Sequence, residues 1–191
     1  MAADGGDDAR AELASVLERA RAGSDIAFEV IFHELAPVVA GYLRMNGARE
    51  VDELTNEVFA QVHRGLQRFV GDWGGFRSWV FTIAHHRMVD STRRAKRRPP
   101  EAYGDAAEEA STGDVEREAL DVLSDERVHD LLGVLSPDQR QVLLLRIVAD
   151  LPLEEVAVTL GKTVGAVKSL QHRALAALRR AIEQEGAGHG E

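Results

Sequence analysis

The sequence contains no cysteine, so neither a disulfide framework nor a thiolate-held metal can stabilise it. It has no uninterrupted apolar run near the roughly 20 residues a membrane-spanning helix needs, which argues against membrane insertion. Met1 to Asp8 is acidic and lacks the apolar centre of a secretion signal, so the cytoplasm is the expected location. Aromatic residues are scarce, at 5%, and no long alternating pattern marks a strand. Also missing are a phosphate-binding loop, a nucleophile–base pairing and a metal-spaced cluster. The expectation is a non-enzymatic protein with no cofactor and no metal.

Basic charge is in deficit overall, since net charge is −9, and taken whole this disfavours a nucleic-acid partner. The distribution reverses that reading. Arg93 to Arg98 places five cations in six residues. Val156 to Ile182 carries Lys162, Lys168, Arg173, Arg179 and Arg180 with no acid. Between them, Pro99 to Glu126 holds ten acids and only Arg117 as a cation. Local charge decides what a face can bind.

What is abundant is Ala, Leu, Arg and Glu, which favour helix, and 191 residues allow one ordinary domain or two small ones. Apolar residues recur at helical spacing over Ala9–Ala22, over a second helix from Ser24–Asp25 to Asn46–Gly47, over about Glu50–Arg68, and over about Phe76–Lys96. Pro99-Pro100 ends this group. After the acidic stretch come an amphipathic helix with Val128, Leu131, Leu132 and Leu135, a helix Asp138–Val148 opened by the capping box Ser136-Pro-Asp-Gln139, then Leu153–Leu160 and Val164 to about Glu185. The reading is all-α: a helical domain over 1–98, an acidic flexible linker over 99–126, a second helical domain over 127–185, and a disordered tail over 186–191.

Leu153 to Arg180 has the form of a helix-turn-helix: a short helix, a turn at Gly161 with Thr163 as cap, and a longer helix. Val156, Leu160, Val164, Val167, Leu175 and Leu178 form its inner stripe. The outer face offers Lys168, Ser169, His172 and Arg173, donors suited to phosphates and to major-groove base edges. A helical hairpin with a solvated basic face is the plain alternative.

The longer segment is more specific. Leu135-Ser-Pro-Asp-Gln-Arg-Gln-Val-Leu-Leu-Leu-Arg146, Leu153-Glu-Glu-Val-Ala157 and Val164-Gly-Ala-Val-Lys-Ser-Leu-Gln-His-Arg-Ala174 resemble the −35-reading domain of sigma factors, in the extracytoplasmic-function branch of the sigma-70 family. The resemblance implies that Lys168, Ser169, His172 and Arg173 face the −35 element. The family usually has arginine where Leu170 stands and an apolar residue at Gln171. Leu170 can join the inner stripe and turn Gln171 towards solvent or DNA, so an altered −35 preference is expected.

Independently, Glu53-Leu-Thr-Asn-Glu-Val-Phe59, Phe69, Phe76-Arg-Ser-Trp79 and Ile83-Ala-His-His-Arg-Met-Val-Asp90 resemble the family's region 2, in the right order. Asp52, Glu53, Asn56 and Glu57 make a polar ridge opposite the apolar stripe of their helix. By resemblance this ridge docks on the β′ coiled coil of core RNA polymerase, with the β subunit as a further contact. The loop Phe69 to Phe76 corresponds to a pocket for a flipped −10 base, which implicates Phe69 and Asp72. Trp73 departs from the family pattern and is either an added stacking surface or a plug packed on the domain. Adjacent His85 and His86 point about 100° apart on a helix and do not chelate together. His86 matches a DNA-proximal asparagine of the family, while Arg87, Arg93, Arg94, Lys96, Arg97 and Arg98 suit phosphates. Promoter DNA and an anti-sigma factor complete the implied partners. The competing reading is a two-domain helix-turn-helix regulator that never joins polymerase.

Overall fold

The computed structural model describes residues 4–97 and 127–188, and among them all regular structure is helical. The expected acidic linker and Arg98 lie outside the described residues. Helix α1 spans Asp4–Arg21, α2 Asp25–Met45, α3 Val51–Leu66 and α4 Trp73–Arg97. Residues 127–133 form α5, followed by α6 Pro137–Ile147, α7 Leu153–Leu160 and α8 Val164–Gly188. Helix α8 thus runs past Glu185, where composition set its end and a disordered tail was expected. No proline interrupts that stretch, so the helix can continue.

Local chemistry explains most boundaries. Ser24 opens α2 by accepting from the Ala27 amide at 3.3 Å. Ser136 and Gln139 close the reciprocal capping box at α6, with Pro137 in the first turn. Gly161 adopts a left-handed conformation, φ 61°, after α7, and the Lys162 amide reaches back to the Ala157 carbonyl at 2.9 Å. That turn satisfies a helix-end carbonyl that would otherwise lack a donor. Thr163 then caps α8 by accepting from the Ala166 amide.

Helix α2 is long and apolar enough, by length and composition, to cross a membrane. Here Ala27, Ile31, Leu35, Ala36, Val39, Tyr42 and Leu43 are instead buried against α1, α3 and α4. The first-half core adds Val16, Leu17, Val58, Val62, Phe76, Val80 and Phe81.

The two helical domains pack on one another. Val142, Leu144, Leu145, Leu151, Val156 and Val167, from the second half, belong to the same buried cluster as the α1–α4 core. Helix α4 packs on α7, and α2 meets α6. A satellite cluster of Leu135, Leu143 and Ala174, with Leu132, Ala177 and Leu178 beside it, holds α8 on α5 and α6. Leu175, assigned to the inner stripe from spacing, is 37% exposed. Its neighbour Ala174 takes the buried place, one helical step of about 100° away.

Candidate nucleic-acid interface

On α3, Asp52, Glu53 and Asn56 are exposed on the side away from buried Leu54, Val58 and Phe59. Glu57 is different. Its carboxylate meets the Arg87 guanidinium at 3.4 Å, and Arg87 also donates twice to the Gln61 side chain, at 2.8 and 3.1 Å. A residue assigned to the polymerase ridge and one assigned to −10 DNA are therefore paired with each other across α3 and α4. Arg87 is thus pre-engaged within the fold, not a free cation. Gln61 had no assigned role, and nothing in its spacing signals one.

The loop before α4 is built around four aromatic rings. Phe69 stacks on Trp79 with centroids 5.4 Å apart and planes at 21°, and meets Phe76 edge-on at 5.4 Å. Trp73 lies 5.6 Å from Phe76 and is only 7% exposed. The ring is thus packed on the domain and presents little surface to solvent. Its placement follows from helix α4 beginning at Trp73 itself. Asp72 is the cap of that helix: its carboxylate accepts from the Gly75 amide at 2.8 Å, and its carbonyl from the Phe76 amide. Phe69 remains half-buried at the edge of the cluster.

The two histidines separate as their helical angle requires. His85 is buried with its Nδ1 3.1 Å from the Tyr42 hydroxyl. Burial, and secondarily His86, pull its pKa down to about 4, so it is neutral at pH 7. Burial pushes the Tyr42 phenol up, and the hydroxyl keeps its proton. His86 is exposed, and Asp90, Arg93, Arg94 and Arg97 follow it as an exposed, mainly cationic stripe along α4.

On α8, Lys168, Ser169, His172 and Arg173 are exposed together, while Val167 and Ala174 are buried beneath them. Ser169 donates to the Gly165 carbonyl at 3.0 Å and Arg173 to the Ser169 carbonyl at 3.2 Å. Leu170 packs against the core, and Gln171 is half-buried at the margin of the exposed face. Lys162 is drawn away from that face by Asp138, at 3.0 Å, which ties the turn to the start of α6.

Sequence spacing gave no role to Arg77 or Thr82. Arg77 donates from Nε to the Ala149 carbonyl at 2.6 Å and from a terminal nitrogen to Val148 at 3.3 Å. Burial lowers its pKa, opposed by the nearby charges of Asp150 and Glu34. The Thr82 hydroxyl lies 2.9 Å from that of Thr159.

Residues 31–98 match Sigma-70 region 2, and residues 131–180 match Sigma-70, region 4. The chain is similar to the ECF RNA polymerase sigma factor SigD of Mycobacterium tuberculosis, at 31% identity over 91% of this chain and 85% of that protein. It is also similar to ShbA of Streptomyces griseus, at 31% identity over 93% and 99%, and to BldN of Streptomyces coelicolor, at 29% over 94% and 69%. Its fold is shared by CnrH, solved in complex with the cytosolic domain of CnrY: the TM-score is 0.64 and identity 24%, over 88% of this chain and 96% of that one. The chain belongs to the extracytoplasmic-function sigma factors of the sigma-70 family, which serve RNA polymerase in transcription initiation.

Proposed function

We propose that this sigma factor divides its work between three exposed surfaces. The ridge Asp52, Glu53 and Asn56, with Glu57 at its edge, docks on the β′ coiled coil of core RNA polymerase. Its carboxylates stand clear of the apolar stripe, so a basic partner helix can meet them without disturbing the core. The α4 stripe of His86, Arg93 and Arg94, with Phe69 and the Asp72-capped loop beside it, engages −10 DNA. The α8 face of Lys168, Ser169, His172 and Arg173 reads the −35 duplex, where a helix fits the major groove. Trp73 supports the loop from below and Arg87 holds α3 to α4, so both act on DNA and polymerase through other residues. Gln171 tunes the −35 contact from its margin.

The observation that carries this reading is the joint exposure of an acidic ridge on α3 and a cationic face on α8, each inside its own matched region. A regulator that never joined polymerase would need only the second. We place the protein in the cytoplasm, with an anti-sigma factor as a further partner. CnrH, with the same fold, was captured with another protein bound.

The test is reconstitution with core RNA polymerase. The chain should co-purify with core enzyme and support run-off transcription from some members of a promoter library, with Glu53→Lys weakening the association. A chain that binds −35-like duplex but neither associates with core nor initiates would be a free-standing regulator instead.

A further inference from the structure

Among the described residues, four large apolar side chains are at least 68% exposed: Ile26, Val70, Ile147 and Val158. Three of them project from helices, α2, α6 and α7. Val70, at 85% the most exposed, stands instead in the short loop between α3 and α4, next to Phe69 and two residues before Asp72. A single exposed valine is ordinary on a protein surface. What sets this one apart is the rigidity of its mount.

The residue before it is held on several sides. The Phe69 ring stacks on Trp79 and meets Phe76 edge-on. Its tip lies against Gly71, where an added Cβ would come within 2.9 Å of it. Gly71 follows the ring so closely by adopting a φ of 152°, which residues with side chains rarely do. Asp72 is then tied to the first turn of α4 through the Gly75 amide. The backbone thus wraps the Phe69 ring and leaves the Val70 isopropyl group in solvent. Branching at Cβ restricts its χ1, so little side-chain entropy is lost when it meets a partner.

Chemistry narrows what that partner can be. A valine side chain cannot hydrogen-bond a base edge, cannot pair with a phosphate, and has no π-face on which a base could stack. Of the groups that DNA presents, the thymine C5-methyl is the apolar one it matches. Exposed Arg68, two residues earlier, can hold a phosphate of any sequence, whereas Val70 can tell one pyrimidine from another. We propose that Val70 reads the C5-methyl of a thymine in the −10 element and so sets a base preference there. This rests on the sigma-factor reading, in which the loop engages −10 DNA. The preference is for the methyl itself, since uracil presents the same hydrogen-bonding edge without it.

The test removes that methyl alone. The full-length chain with core RNA polymerase selects promoters from a library, and each −10 thymine of a selected promoter is replaced in turn by deoxyuridine. At one position the replacement should lower initiation by the parent about two- to fourfold, the worth of one methyl-sized apolar contact. Val70→Ala, at an exposed site that leaves folding intact, should initiate at that reduced level on thymine and deoxyuridine alike. Val70→Thr keeps one methyl and should fall between. Binding to −35 duplex should be unchanged in both variants. If parent and Val70→Ala keep the same ratio of activities on every deoxyuridine promoter as on thymine DNA, the methyl is not read, and the proposal falls while the sigma-factor reading stands. Selected promoters with no thymine in the −10 element would overturn it equally. If no promoter is opened at all, the sigma-factor reading fails and takes the proposal with it.

Discussion

Glu57→Lys is the substitution that best separates the structural role of the α3 ridge from its proposed docking role. The Glu57–Arg87 pair is 3.4 Å apart, with side chains 34% and 32% exposed. Coulomb's law at that distance gives about 1–5 kcal/mol for an effective dielectric between ~80 and ~20. Partial exposure and side-chain entropy reduce a surface pair to about 0.5–1 kcal/mol. Reversal replaces attraction by repulsion of similar size, for a total cost of about 1–2 kcal/mol. In a chain of this length that lowers Tm by about 2–8 °C. Glu53→Lys, exposed and without an ion pair among the described residues, should leave stability within about 0.5 kcal/mol of the parent. The double variant Glu57→Lys with Arg87→Glu should regain most of the lost stability, because the pair is restored with its signs exchanged. Thermal unfolding by circular dichroism measures all four proteins, and core-polymerase binding is measured alongside. If polymerase reads the Glu57 carboxylate itself, the swapped variant will be stable yet still bind core weakly. Should Glu57→Lys melt like the parent, or the swap fail to restore it, the pairing argument is wrong.

Three other outcomes are expected. Arg173→Ala should weaken binding to −35 duplex by about 1–3 kcal/mol if the guanidinium makes a bidentate base contact; an equal loss on every sequence in a gel-shift series would make it a phosphate contact. Gly65→Ala should destabilise by about 1–3 kcal/mol, since a Cβ there would sit 2.8 Å from the Trp79 ring; Trp79→Phe in the same chain should recover part of the loss in a chemical denaturation curve. His85 is held neutral with its pKa lowered to about 4, so the unfolded chain binds its proton more readily than the folded one. Its contribution is full above about pH 6.5 and is lost as pH falls towards 4, a change of about 2–3 kcal/mol. Comparing His85→Gln with the parent across that window should show a flatter stability profile in the variant, and parallel profiles would refute the assignment.

Much of this architecture was legible because helices announce themselves locally. The Ser136 capping box, the Gly161 turn and the apolar periodicity of α2 and α3 each depend on residues within a few positions of one another. The exposed face of α8 followed from the same periodicity. What escaped was decided across the chain. Leu170 packing inward was foreseeable from its spacing to Val167, but Leu175 was assigned inward by the same logic and is not, because α8 presents Ala174 to the α5–α6 cluster instead. Arg87 looks like any cation in a basic helix until Gln61 and Glu57 are brought beside it. The union of the halves was the least legible, since its charged link, Arg77, ends on the backbone carbonyls of Val148 and Ala149, and a carbonyl carries no side-chain signature. Arg77 stood inside a motif already noted for other reasons.

The aromatic cluster before α4 also fixes what light can report about this protein. The chain has two tryptophans, and both belong to that cluster, Trp73 beside Phe76 and Trp79 under Phe69. Intrinsic emission excited at the indole band therefore originates at one end of one half of the molecule. It is sensitive to any displacement of the Phe69 ring from Trp79, on which it stacks. The α6–α8 half has no indole of its own and is optically silent. A titration followed by tryptophan fluorescence thus observes the Phe69–Phe76 loop, and on the proposed division of surfaces it separates −10 occupancy from −35 occupancy without any label.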